Sequence, residues 1–316
     1  MRILHLCSHF LPRIGGVENH VYKVAQAQIN MGHEVTVVTG LYDGYAETEN
    51  IDGICVKRFP AQRSALRMQL WHIAHCAIYR NADVIHVHNL MAFSNIPEML
   101  INRDKTVLTL HGWGGQFPIP ERDIINVSNS APKKACKVVT VGDLVNKWYK
   151  VKSDAVIYGA ADEDQPGLSA KPNYDICILS RLAIDAGIEI YAKALERLSN
   201  EVPLKVVICG DGDQKNMLLE RLQNANVTFL GFIKNPNSYL AESNICFTSG
   251  YLGIIESIKQ GCHVYSVYDN PLKRDYLELA PFAKDINIAG SDEQLYQQLK
   301  DNLSSEKRTA IPNSVS

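Results

Sequence analysis

The chain has 316 residues, 46% hydrophobic and 21% charged, with 20 glycines and 13 prolines, which excludes a disordered, collagen-like or low-complexity polypeptide. A single hydrophobic core stops growing near ~250–300 residues, so two domains are expected. The net charge of −2 leaves no electrostatic footprint for a nucleic-acid partner, and the longest apolar runs fall well short of the ~18 residues of a spanning helix.

Taken in chain order, Arg2–Cys7, Glu34–Thr39, Ile54–Phe59, Val84–His88, Val107–His111 and Lys137–Val141 read as strands, each a β-branched run bounded by glycine, proline or polar residues. Between them the spacing predicts helices, one carrying Val17, Val21, Val24 and Ala25 and another over Ser64–Tyr79. The stretch Tyr158–Gly167 is small, polar and aperiodic, and reads as part of a linker. The pattern then restarts, with strands Ile176–Leu179, Lys205–Cys209, Val227–Leu230, Ile245–Thr248 and His263–Val267. Helices are expected over Ile188–Leu198, Asn216–Asn224 and Gly253–Gln260. Apolar strands alternating with helical crossovers imply parallel sheets covered on both faces. The expected architecture is α/β, with two doubly wound, Rossmann-like domains (1–157 and 173–316) facing a cleft and joined by a linker at 158–172. The eight cysteines are dispersed without a CxxC pair, as expected of reduced thiols in a cytoplasmic protein. The apolar run after Met1-Arg2 lacks the length and cleavage site of a signal peptide.

Ligands of doubly wound sheets bind beyond the carboxyl ends of strands, so the segments that follow strands carry the functional reading. Gly15-Gly16 stands directly before a helix, where backbone N–H groups can approach an anion, although an ordinary turn would use the same residues. His86 and His88 share one face of a strand; with no carboxylate or cysteine near them, hydrogen-bonded histidines are favoured over a metal site. His111 ends a strand ahead of a glycine-rich loop. In the second half Arg181 offers a forked donor to phosphate, and Gly210-Asp211-Gly212 leaves room for a ligand near the backbone. Thr248–Ser257, containing Tyr251, Leu252 and Gly253, opens a helix whose amides could hold a diphosphate. Glu256 could accept from a ribose diol or simply decorate a helix face.

Pro12–Glu18, His86-Val-His88, Thr109–Gly112, Val156–Asp162, Ser180–Leu182, Gly210–Gly212, Phe229–Gly231 and the Glu256 segment, in this order, resemble the GT-B glycosyltransferases, and specifically retaining family 4. The resemblance implies that Gly15 and Gly16 approach the donor diphosphate or sugar and that His111 lies beside the donor sugar. It further implies that Arg181 neutralises diphosphate charge and that Glu256 holds the ribose. His111, Arg181 and Glu256 are the implied catalytic residues, with Gly15, Gly16, Arg181, Gly212, Tyr251, Leu252, Gly253 and Glu256 on the donor. No cofactor and no metal is expected. The implied donor is a UDP- or GDP-linked sugar, and the acceptor a glycan or a lipid-linked molecule.

Three positions depart from the family, the first being Gly159-Ala160 near the linker, where Asn-Gly is usual. Ala186 stands where a lysine before glycine is usual, and Thr248 where the first of two glutamates is usual. Lys215 and Lys259 are the replacement cations nearest in sequence. Ala186 and Thr248 favour an alternative, a non-catalytic GT-B partner subunit. A third option, an epimerase of the same fold, does not fit the glycine-pair entry. The Ser64–Tyr79 stretch, with Arg63, Arg67 and Arg80, could rest on anionic headgroups at the inner membrane face, although its apolar face is expected to pack on the sheet.

Overall fold

The computed structural model describes residues 1–13, 15–94, 96–112, 116–159, 173–233 and 235–304. The chain divides into two compact units, Met1–Ile157 and Tyr158–Ser316. From residue 160 onward the expected linker lies outside the described residues, as does the end of the loop after His111.

The first unit holds strands β1 (Arg2–Leu6), β2 (Glu34–Gly40), β3 (Thr48–Ile51), β4 (Ile54–Phe59), β5 (Val84–His88), β6 (Thr106–Leu110), β7 (Lys137–Val141) and β8 (Ala155–Ile157). They form one sheet in the order β3-β4-β2-β1-β5-β6-β7-β8. All pairings are parallel except β3 with β4. Helix α1 (Gly16–Asn30) covers one face, and α2 (Ala65–Ala74), α3 (Cys76–Asn81), α4 (Glu121–Lys134) and α5 (Asp143–Tyr149) complete the unit. The period-two pleat sorts β1 between the faces. Leu4 and Leu6 join a core with Tyr79 of α3, Ala131 of α4 and Val145 of α5, whereas Cys7 joins Val21 and Ala25 of α1.

The second unit holds β9 (Tyr174–Leu179), β10 (Lys205–Cys209), β11 (Asn226–Gly231), β12 (Ser243–Phe247), β13 (His263–Val267) and β14 (Ile286–Ala289). The sheet is parallel throughout, in the order β11-β10-β9-β12-β13-β14. Its helices are α6 (Ile188–Ser199), α7 (Lys215–Arg221), α8 (Asn237–Ala241), α9 (Tyr251–Lys259), α10 (Pro271–Glu278) and α11 (Asp292–Ser304). Helix α6 buries Ile188, Tyr191, Leu195 and Leu198 at helical spacing against Ile176, Ile178, Val206 and Phe247. Truncating such a residue, as in Leu195→Ala, costs about 2–5 kcal/mol. The other face of the sheet is lined by Cys177, Cys209, Cys246 and Cys262 around Leu240. All four thiols are free and buried.

Each sheet reverses its winding once, between β1 and β5 in the first unit and between β9 and β12 in the second. Those reversals are where a doubly wound sheet opens a crevice at its carboxyl edge. The Ser64–Tyr79 stretch differs from expectation in two respects. It breaks into α2 and α3 at His75, whose Nδ1 donates to the Trp71 carbonyl at 2.8 Å. Its apolar residues also do not all pack inward: His72 and Tyr79 are buried, but Leu66, Leu70 and Ile73 are 64%, 54% and 47% exposed. Among the described residues no helix is long and apolar enough to cross a membrane.

Candidate functional site

At the carboxyl edge of the first sheet, β1, β5 and β6 bring three imidazoles into line. His5 Nδ1 lies 2.9 Å from His88 Nε2, and His88 Nδ1 lies 2.9 Å from His111 Nε2. The chain is anchored on α1, where Gln28 Oε1 accepts from His5 Nε2 at 2.7 Å. His86 turns to Thr109 instead, Nε2 to Oγ1, at 2.7 Å. Asn89, at φ 67, ends β5 and accepts the His111 backbone N–H on its side-chain oxygen at 2.8 Å, fixing the start of the loop that follows β6. His20 of α1 sits edge-on to His111, with ring centroids 4.8 Å apart.

Burial decides the charge of this cluster. It pushes His5 down to about 4 against the opposing Gln28 hydrogen bond, and pushes His111 down to about 3, with His20 adding to the effect. His86 and His88 are held well below the usual histidine range, first by burial and then by the neighbouring imidazoles. All four rings are neutral at pH 7.

Beside them α1 begins at the glycine pair. Gly15 is its N-cap, and a Cβ there would collide with the Glu18 carboxylate, which folds back over the first turn. At Gly16 a Cβ would meet no protein atom within 4 Å. Only the flexible end of the Glu18 side chain opposes a Cβ at 15, and no described atom of the protein opposes one at 16.

In the second unit Arg181 follows β9 and pairs with Asp185 at 2.8 Å. Its side chain is 70% exposed, and a pair that exposed contributes about 0–1 kcal/mol, so Arg181 can turn to a phosphate at little cost. The departure at 186 is filled apolarly, Ala186 being buried in the core. The two cations nearest in sequence do not fill the gap. Lys215 Nζ rests 3.8 Å over the Phe229 ring, and Lys259 stands at the far end of α9, about 12 Å along the axis from its first residue. Sequence reasoning missed Lys273, in the first turn of α10. Burial pushes its ammonium below the ordinary lysine value, Asp185 and Asp269 oppose that, and Arg181 adds to it, so Lys273 lies in the field of the Arg181–Asp185 pair. The signal available was Asn270-Pro271 after a strand, a helix start that sets Lys273 at the N-terminus, where the Asn270 side chain accepts its N–H at 2.9 Å.

The start of α9 is prepared differently from expectation. The Tyr251 N–H already donates to the Tyr276 hydroxyl at 2.9 Å, and the two rings stack with centroids 3.8 Å apart. Ile254 donates to the Gly250 carbonyl, which leaves the Leu252 and Gly253 amides without an acceptor among the described residues. These two N–H groups are the anion-binding capacity of the helix end. Thr248 is buried against Gly253, where a Cβ would press on its hydroxyl. Glu256 lies half-buried on α9, one turn beyond Leu252. Gly212, expected to make room for a ligand, has a reason within the protein. At φ 156 its Cβ would strike the Leu182 carbonyl, as that of Gly210 would strike Ser180, where the loops after β9 and β10 bond to each other.

Two doubly wound, largely parallel sheets in separate units are the architecture of the GT-B glycosyltransferases. Residues 14–149 match the family model for glycosyltransferase family 4, and residues 160–258 match that for glycosyl transferases group 1. The chain belongs to this family of GT-B, family 4-like glycosyltransferases.

Among curated relatives, the phosphatidylinositol N-acetylglucosaminyltransferase gpi3 subunit of Schizosaccharomyces pombe is 24% identical over 72% of this chain and 55% of its own length. An uncharacterised glycosyltransferase of Methanocaldococcus jannaschii is 26% identical over 74% of this chain and 70% of its own. The chain thus spans about half the length of the yeast subunit. Anabaena HepE, solved in complex with UDP and glucose, superposes with a TM-score of 0.72 at 17% identity, covering 98% of this chain and 92% of that one. Sucrose-phosphate synthase from Thermosynechococcus elongatus gives 0.71 at 14% identity, covering 96% and 90%.

Proposed function

We propose that this protein transfers a sugar, with retention, from a nucleoside diphosphate donor to a lipid-linked or glycan acceptor at the cytoplasmic face of a membrane. The observation that carries the donor half is the grouping, at the carboxyl edge of the second sheet, of Arg181 after β9, Lys273 after β13, and the Leu252 and Gly253 amides after β12, which have no acceptor among the described residues. Breaking a glycosyl–phosphate bond develops negative charge on the departing diphosphate. Fixed cations and amides aimed at that charge lower the barrier without a metal. The site's cations number two even with alanine at 186, because Lys273 enters from α10. Glu256 is assigned to the ribose and His111 to the donor sugar, following the family resemblance. A uridine nucleotide is favoured by the ligand named for HepE.

The acceptor half is supported by the phosphatidylinositol-modifying relatives and by α2. Leu66, Leu70 and Ile73 form one exposed apolar stripe beside the exposed Arg63, Arg67 and Arg80, the pattern of a helix lying in an anionic bilayer surface. A second reading, a non-catalytic partner subunit, is favoured by Ala186 and Thr248.

Thermal shift with UDP, GDP and ADP and their sugars separates the readings, because a ligand that binds the native state raises its apparent stability. Stabilisation by one nucleotide, with donor hydrolysis or transfer above that of Arg181→Ala, is expected. Stabilisation without turnover for any donor and membrane-extract acceptor would leave the partner reading. Failure to sediment with anionic liposomes at low salt would remove the membrane contact.

A further inference from the structure

The three-histidine line at the edge of the first sheet uses both ring nitrogens of His5 and of His88. His5 spends Nε2 on Gln28 and Nδ1 on His88, while His88 spends Nε2 on His5 and Nδ1 on His111. A neutral imidazole has one N–H and one lone pair. The Gln28 carbonyl oxygen can only accept, so His5 carries its proton on Nε2 and offers Nδ1 as a lone pair. His88 must then donate from Nε2 and accept at Nδ1. His111 must in turn donate from Nε2, which leaves its lone pair on Nδ1, where no described protein group meets it. One amide on α1 therefore sets the tautomer of a ring on another element, through two intermediates.

The same accounting bears on metal binding. His5, His86 and His88, and separately His20, His88 and His111, bring ligand atoms within 4.8 Å of one another. The lone pairs of His5 and His88 are already directed into hydrogen bonds, so neither trio has three to give.

We propose that Gln28, His5 and His88 are positioning residues that hold His111 as a hydrogen-bond acceptor at Nδ1, so that it takes a hydroxyl of a sugar and not an oxygen of a phosphate. A lone pair attracts a hydroxyl hydrogen and repels a phosphate oxygen, so the relay directs the first unit to the uncharged part of a donor. This assignment rests on the glycosyltransferase reading for the identity of the ligand. The tautomer itself does not.

The test begins on the ligand-free protein. Long-range proton–nitrogen correlation spectra of histidine-labelled protein, assigned by single His→Gln variants, report which ring nitrogen carries the proton. Protonation at Nε2 in His5, His88 and His111 is expected. Protonation of His111 at Nδ1, or fast averaging between tautomers, overturns the relay whatever the enzyme does. Replacing Gln28, which lies outside the substrate-contacting groups, with Met removes the terminal acceptor and should convert the His111 signal to a tautomer mixture. Gln28→Glu, which also only accepts, should keep Nε2 protonation. An unchanged His111 spectrum in Gln28→Met counts against the proposal. Added Zn²⁺ should leave the wild-type imidazole spectrum unchanged, and a stoichiometric shift would replace the relay with a metal site. For the ligand, His111→Phe should weaken UDP-glucose binding about five- to tenfold and leave UDP binding unchanged, as loss of one sugar hydrogen bond predicts. Equal weakening of both would place His111 on the phosphates and refute the acceptor role. No binding of either nucleotide in the wild type would sink the functional reading and leave the tautomer result standing.

Discussion

Lowering the pH from 7.5 to 5.5 should selectively weaken the first unit. Burial holds His5 and His72 down to about 4, His111 down to about 3, and His86 and His88 well below the ordinary value of 6.5. For a group whose folded value is depressed, the unfolded chain takes up the proton first. Stability is therefore complete above 6.5, is lost as pH falls below it, and goes on falling until the folded value is reached. At pH 5.5 rings held this far down stay neutral when folded and are mostly charged when unfolded, a loss on the order of 1 kcal/mol apiece. Five such rings cost on the order of 5 kcal/mol together, comparable with the whole stability of a typical domain, about 5–15 kcal/mol. His72 Nε2 is buried without a hydrogen-bond partner among the described residues, so nothing there favours its charged form. The second unit has only His263, so it should be spared. The assay is urea unfolding at both pH values followed by tryptophan fluorescence, because Trp71, Trp113 and Trp148 all lie in the first unit. A loss below about 2 kcal/mol in that transition would refute the neutral-cluster description. The His5→Gln variant should reduce the pH dependence by about one proton.

Four further outcomes test the donor site and its scaffold. Glu256→Ala should lower nucleoside diphosphate affinity about tenfold by calorimetry while the melting temperature holds, as loss of one or two charge-assisted hydrogen bonds requires; unchanged affinity takes Glu256 out of the site. Lys273→Met keeps the stem that packs near Tyr276 and removes the charge, so it should cut turnover at least tenfold, and an Ala186→Lys, Lys273→Met double variant should recover part of it. Gly210→Ala should destabilise the second unit by about 1–3 kcal/mol through its clash with Ser180. Gly16→Ala should leave stability within about 1 kcal/mol of the parent and abolish transfer; retained transfer would deny Gly16 a ligand contact.

The interior strands were legible because a strand buried on both faces must be a continuous β-branched run. Thr48–Ile51, Ala155–Ile157 and Ile286–Ala289 were missed because they are short edge or terminal strands, and two of them carry polar residues that carry no such pattern. On α2 the apolar spacing was read correctly and its environment was not. Periodicity says which residues share a helix face and nothing about what covers that face. His86-Val-His88 was visible as a same-face pair, yet the partners of His88 are His5 on β1 and His111 after β6. They become neighbours only once the sheet order is known. Lys273 was missed for a related reason. The cation proposed in place of the one expected at 186 arrives from a different crossover of the same sheet.

The buried thiols on one face of the second sheet give that unit a chemical reporter of its own. Cys177 and Cys262 are pushed well above the usual thiol range, Cys177 first by the neighbouring thiols and Cys262 by burial. A buried thiol is out of reach of an alkylating reagent, so Cys177, Cys209, Cys246 and Cys262 can be labelled only when their sheet opens. Alkylation in urea, read at these four positions by peptide mass, therefore counts openings of the second unit, while indole emission follows the first. The two halves of the chain can then be timed separately in one tube, without an added tag or a cut between them.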